Sequence, residues 1–125
     1  MFYAILNRKL EMNKFKFLIL TVIIAALTSC QLDIEPGTPN CIKTKIKAFS
    51  KSEVLCASGK SVNKYSFQDR IVFVFDPGTC GADMAADVYD SECIYLGFLG
   101  GIAGNSEING EEFSIAVFKG VVWKN

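Results

Sequence analysis

The sequence predicts an α+β fold, a small antiparallel sheet of three to four strands packed by one N-terminal helix and stapled by disulfides. Three observations lead there. Four cysteines fall in the part of the chain that a leader would export, apolar residues at helical spacing open that part, and runs rich in Val, Ile, Phe and Tyr follow. Of the 125 residues 50% are hydrophobic, 12% aromatic and only 21% charged, which excludes a disordered chain.

Taken in order, residues 41–52 read as the helix, with Asn40 as its cap and Ile42, Ile46 and Phe49 on one stripe while Lys43, Lys47 and Lys51 take other positions. A strand competes here, because Ile42, Thr44 and Ile46 also alternate with Lys43, Lys45 and Lys47. Residues 56–59 form a turn. Residues 61–67 and 70–75, around Gln68 and Asp69, read as a β-hairpin. The run Ile71-Val72-Phe73-Val74-Phe75 is apolar on both faces, as a central strand is. Asp76-Pro77-Gly78 ends it and opens a loop to Asp90. Residues 93–98 supply a third strand, Gly100, Gly101 and Gly104 break the chain, and Asn109-Gly110 makes a turn. Residues 111–119 are a short helix or strand before Val121-Val122-Trp123.

The N-terminus reads as an address. Lys14 and Lys16 precede an uncharged run, 17–29, of 13 residues, too short for a membrane span, which needs about 20 apolar residues. Residues 1–11 add nothing that a signal needs, so Met12 is the expected start of translation. Leu27-Thr28-Ser29-Cys30 resembles the bacterial lipobox. That resemblance implies cleavage before Cys30, acylation of Cys30 with diacylglycerol and a further fatty acid such as palmitate, and membrane attachment by several acyl chains at about 0.8 kcal/mol per buried CH2. Gln31 in place of Asp resembles the outer-membrane sorting pattern. The expected organisation is therefore a lipoprotein signal peptide over 1–29, a tether over 30–39 containing two prolines and a glycine, and a single α+β domain over 40–125.

Cys41, Cys56, Cys80 and Cys93 remain once Cys30 carries lipid, and an even number in an exported chain reads as two disulfides. Three pairings are open. Local closure, Cys41 with Cys56 and Cys80 with Cys93, costs the unfolded chain least. Separations of 15, 24 and 13 residues contain no C-x-x-C knuckle, against a four-thiolate metal site.

Composition narrows the function. The chain has no His and a formal charge of zero, which excludes His-dependent triads, Cys/His dyads, His-bearing zinc sites and a whole-chain basic field for nucleic acid. Residues 41–70 hold seven Lys or Arg against two acids, and 71–125 hold two Lys against eight acids. Asp76, Asp83, Asp87, Asp90 and Glu92 crowd one segment, ordinarily a solvated loop and more sharply a calcium-binding one, although the EF-hand spacing is absent. Residues 96–105 hold four glycines without a phosphate-loop pattern. The expected binding loop therefore comprises Asp76, Asp83, Asp87, Asp90, Gly100, Gly101, Gly104 and Asn105, on the 76–105 segment; the rival reading has Tyr89, Phe98 and the glycines closing the core. No catalytic residue, metal or cofactor is expected, and the chain reads as a non-enzyme.

Two resemblances add to this. Residues 80–93, C-G-A-D-(x)5-Y-D-S-E-C, resemble the Kazal inhibitor segment C-G-x-D-G-x-T-Y-x-N-x-C but are two residues longer and lack the glycine after Asp83. They imply a protease-inhibitor-like domain as an alternative. More of the chain is similar to an uncharacterised family of small bacterial lipoprotein domains, through Cys41-Ile42, residues 62–65, residues 80–83, Val88-Tyr89-Asp90, Cys93, residues 100–104 and Val122-Trp123. A single Cys80 stands where that family has two cysteines, Gly110 replaces another, and Cys56 is extra. The resemblance implies the architecture and no activity. The expectation is a lipid-anchored binding or structural module of the bacterial outer membrane, periplasmic or surface-exposed. Its partners would be the membrane and an envelope protein, with no nucleic acid.

Overall fold

A computed structural model describes residues 32–53 and 56–125, and in addition Tyr3, Arg8, Glu11 and Met12 singly. The rest of the expected signal peptide and Cys30, the expected site of lipid attachment, lie outside the described residues.

Helix α1 spans Asn40–Ser50. Pro39, not Asn40, is its N-cap, at φ −55° and ψ 142°. Proline has no N–H to leave unpaired there, and its carbonyl accepts the Lys43 amide at 2.9 Å. Ile42 and Ile46 are fully buried, so the helical stripe prevails over the alternating one. At the far end Lys51 and Ser52 donate back to Ala48 and Phe49 at 3.2 Å, closing the last turn.

Strands β1 (Ser61–Phe67) and β2 (Arg70–Asp76) form the expected hairpin, in register from Ser61 opposite Asp76 to Phe67 opposite Arg70. Gln68 and Asp69 both take positive φ, 50° and 58°, the turn twist that two-residue hairpins favour. Strand β3 (Ala85–Asp90) pairs with β2, and β4 (Tyr95–Gly100) pairs with β3. Strand β3 corrects the expectation of a loop from Asp76 to Asp90. Only residues 77–84 are irregular, because the free edge of β2 supplies partners for a polar stretch whose own propensity is weak. Strand β4 begins two residues later than expected, since Cys93 has a φ of 65° and belongs to the β3–β4 turn. A small hairpin of β5 (Glu107–Ile108) and β6 (Glu111–Glu112) turns at Asn109-Gly110, as expected. One 3-10 turn, Phe113–Ile115, then leads to β7 (Val117–Lys124), which pairs with β1.

The main sheet thus has five antiparallel strands in the order β4-β3-β2-β1-β7, rather than three or four. Strand β2 is central, with Val72, Phe73, Val74 and Phe75 all buried. The two faces bury separate cores. Phe73, Phe75, Val62, Val122 and Trp123 meet Ile42 and Ile46 of α1 on one face. On the other, Phe67, Val72, Val74 and Val88 meet Ile108. Gly97 in β4 makes room for that contact, because a Cβ there would lie 3.2 Å from Ile108 Cδ1.

The disulfides join Cys41 to Cys93 and Cys56 to Cys80, with Cα atoms 6.1 and 5.5 Å apart. This corrects the local pairing, and geometry gives the reason. Helix α1 carries the chain about 15 Å away from Cys41 before it reaches Cys56, and β3 runs about 20 Å between the loop that holds Cys80 and the turn that holds Cys93. A disulfide spans Cα atoms no more than about 7 Å apart.

The expected tether is also corrected from Leu32 on. Leu32 and Ile34 pack on the helix-side core, the Glu35 amide donates to the Val122 carbonyl at 2.9 Å, and Glu35 pairs with Lys64 at 2.6 Å. Buried Thr38 donates to the Glu35 carbonyl at 2.7 Å. The compact unit therefore begins at Leu32, not Asn40.

Candidate functional site

Of the residues expected to form a binding loop, Asp76 and Gly100 line one shallow hollow together with the 77–84 loop, while the others take separate places. Asp76 ends β2, and its Oδ1 accepts the Gly78 amide at 2.9 Å, which turns the chain out of the strand. Asp83 is exposed on the 77–84 loop. Asp90 is buried at the end of β3. Its Oδ1 accepts the Glu92 and Ile94 amides, each at 2.9 Å, and Oδ2 lies 3.7 Å from Arg70 Nη1, so this carboxylate organises the β3–β4 turn. Gly100 and Asn105 form an antiparallel bridge, Gly101 and Gly104 take positive φ inside it, and Asn105 Nδ2 donates to the carbonyls of Phe98 and Glu107. The glycine segment is a closed turn with its polar groups used internally. Among the described residues no three His, Cys, Asp or Glu side chains are placed to hold a metal ion. Cys80 and Cys93 are bonded to Cys56 and Cys41, so the segment that resembles a Kazal inhibitor is not closed on itself.

Asp87 has a different setting. It lies on the helix-bearing face of β3, opposite Phe98 of β4, and Tyr89 two residues on lies opposite Tyr95. Helix α1 packs its apolar residues on β1, β2 and β7 and leaves Tyr95 and Phe98 of β4 exposed. Tyr95 and Phe98 are 52% and 42% exposed, and Phe75, Tyr89 and Tyr95 form a ladder of rings with centroids 5.4 Å apart at each step. Lys45 of α1 places its Nζ 4.1 Å from the centroid of Tyr89. The Cys41–Cys93 disulfide ties the helix carrying Lys45 to the β3–β4 turn.

Desolvation raises the Asp87 carboxyl above its ordinary 3.8, opposed by a hydrogen bond from the Tyr95 hydroxyl and by the Lys45 charge. Desolvation and then the Asp87 charge raise Tyr89 and Tyr95 above the ordinary phenol value of 10.0. Both phenols therefore stay protonated at neutral pH and can donate hydrogen bonds. The cluster offers aromatic faces, hydroxyl donors and one charge of each sign.

Sequence reasoning placed Asp87 in a loop, and missed Lys45 and Tyr95. A register shift at Val88/Tyr89 puts Tyr95 and Phe98, three residues apart, on the same face, so no period-two pattern reveals them. Lys45 joins only through the packing of α1.

No helix among the described residues is long and apolar enough to cross a membrane. Neither a curated protein nor a solved structure matches the chain. Residues 48–125, which span every strand of the sheet, match a family model described as a domain of unknown function, and the chain belongs to that family, DUF6970.

Proposed function

We propose that the protein is a lipid-anchored module of the bacterial envelope, held in the outer membrane by acylated Cys30, and that it binds a partner without catalysing a reaction. The observation that carries the binding reading is the open face of β3 and β4, where Tyr95 and Phe98 stand exposed around Asp87. Apolar rings in water are costly unless a partner covers them, and a fixed charge beside them supplies orientation. The anchoring part is supported by Leu27-Thr28-Ser29-Cys30 following a charged and then an apolar segment.

Both parts are open to one comparison in cells. Cys30→Ala is expected to move the protein out of the membrane fraction or leave its leader attached, and unchanged cleavage and detergent partition would sink the anchoring reading. Cross-linking with the wild type and with an Asp87→Asn, Phe98→Ser double variant is expected to give an envelope adduct that only the wild type retains. If the folded double variant keeps every adduct, the face is not the binding surface.

A further inference from the structure

We propose that the outer edge of β7 is the surface by which the protein rests on the bilayer, the sheet standing with β7 toward the lipid and β4 away from it. This inference depends on the acylation of Cys30 argued above.

Chain length carries the first step. Only Gln31 separates Cys30 from Leu32, and an extended chain spans at most about 3.6 Å per residue, so the lipid-bearing Cα lies within roughly 7 Å of that of Leu32. Leu32 is itself fixed, packed on the core that contains Val122 and Trp123. Three residues on, the Glu35 amide is bonded to the Val122 carbonyl, and Asp33 and Glu35 line a hollow of about 410 Å³ together with Val121, Val122, Trp123 and Lys124. The acyl chains therefore leave the protein beside β7, with no free tether to hold the domain off the membrane.

The second step is the character of that edge. Strand β7 ends the sheet, so one side of its backbone has no neighbouring strand. Ile115, Val117, Phe118 and Val121 are 60%, 56%, 55% and 48% exposed, on β7 or immediately before it. The strand itself carries Lys119 and Lys124, and beside it lie Asp33, which is exposed, and Glu35, which is paired with Lys64. Apolar side chains interleaved with lysines suit an interface of acyl chains and headgroups, and the part of this edge that residues 33–35 leave uncovered is otherwise prone to pair with another chain. Strand β4 is four strand spacings from β7, roughly 19 Å at about 4.8 Å each. The face bearing Tyr95 and Phe98 is thereby held out toward a partner.

The experiment uses the acylated mature protein, beginning at Cys30, in phosphatidylethanolamine–phosphatidylglycerol vesicles made with and without brominated acyl chains. Tryptophan emission is read for Val117→Trp, Phe118→Trp and Phe98→Trp, with the wild-type signal of buried Trp123 subtracted. The two β7 variants are expected to lose emission to the brominated lipid, and the β4 variant to keep it. Val117 guards against misfolding at Phe118, whose ring packs on Tyr65. Vesicle-bound, acylated protein with no quenching at either β7 position overturns the inference alone, as does emission shielded by a second copy, seen as cross-linked dimer without quenching. If intact mass shows no acyl group on Cys30, the anchoring reading fails and takes this inference with it.

Discussion

Lys60 is 3% exposed, and its ammonium is used entirely within the protein. It donates to the carbonyls of Phe49, Ser50 and Ser52 at 3.4, 3.2 and 2.9 Å, at the end of α1 where carbonyls lack intrahelical partners and the helix dipole is negative. Asn125 brackets the same point, since its Oδ1 accepts the Lys60 amide at 2.8 Å and its own amide returns to the Lys60 carbonyl at 3.1 Å. Lys60→Met keeps the aliphatic stem and removes the donors, so it is expected to cost about 2 kcal/mol, read as a lower urea midpoint. Lys47→Met on the exposed face of α1 should change stability by less than about 0.5 kcal/mol. Equal effects of the two would mean that the helix end is satisfied by water.

The β1–β2 hairpin carries strain in its turn. Two non-glycine residues occupy the left-handed region, and they are not equivalent. Gln68 is held by long-range contacts: its Nε2 donates to Glu111 Oε2 at 2.9 Å, and Asn109 Nδ2 donates to its Oε1 at 3.2 Å, so one hairpin turn steadies the other. Asp69 has no such partner among the described side-chain hydrogen bonds and is exposed. Asp69→Gly is therefore expected to raise stability by about 0.5–1 kcal/mol, seen as a higher thermal midpoint, because glycine accepts positive φ without steric cost. Gln68→Gly, which relieves the same strain but breaks those bonds, should show no gain.

Across the whole molecule the two disulfides hold separate layers together. Cys41–Cys93 joins the helix to the β3–β4 turn over 52 residues, and Cys56–Cys80 joins the segment after the helix to the 77–84 loop over 24. Loop entropy assigns about 4 kcal/mol to the first and about 3.5 kcal/mol to the second. Replacing each pair by alanines should lower the denaturant midpoint in that order, and a non-reducing peptide map should recover these two pairs. A map linking Cys41 to Cys56 would contradict the layering itself. Part of the charge division along the chain is also resolved here, since Arg70 from the basic stretch reaches Asp90 from the acidic one.

What lay within reach of local chemistry was legible in the sequence. The Gln68-Asp69 hairpin, the doubly buried central strand, the stripe of Ile42 and Ile46 and the Asn109-Gly110 turn each depend on residues close together in the chain, where side-chain period and backbone preference decide the outcome. The resemblance of Leu27-Thr28-Ser29-Cys30 to a lipobox is likewise a matter of adjacent residues, and the anchoring proposal rests on it and on the charged and apolar segments just before it. Strand β3, the disulfide pairing, the docking of residues 32–39 and the meeting of Lys45, Asp87, Tyr89 and Tyr95 were settled only in the folded chain. Each is fixed by a partner distant in sequence. A weak strand forms because β2 offers an edge, cysteines pair according to which layers touch, and a bulge rather than a pattern aligns the aromatic face.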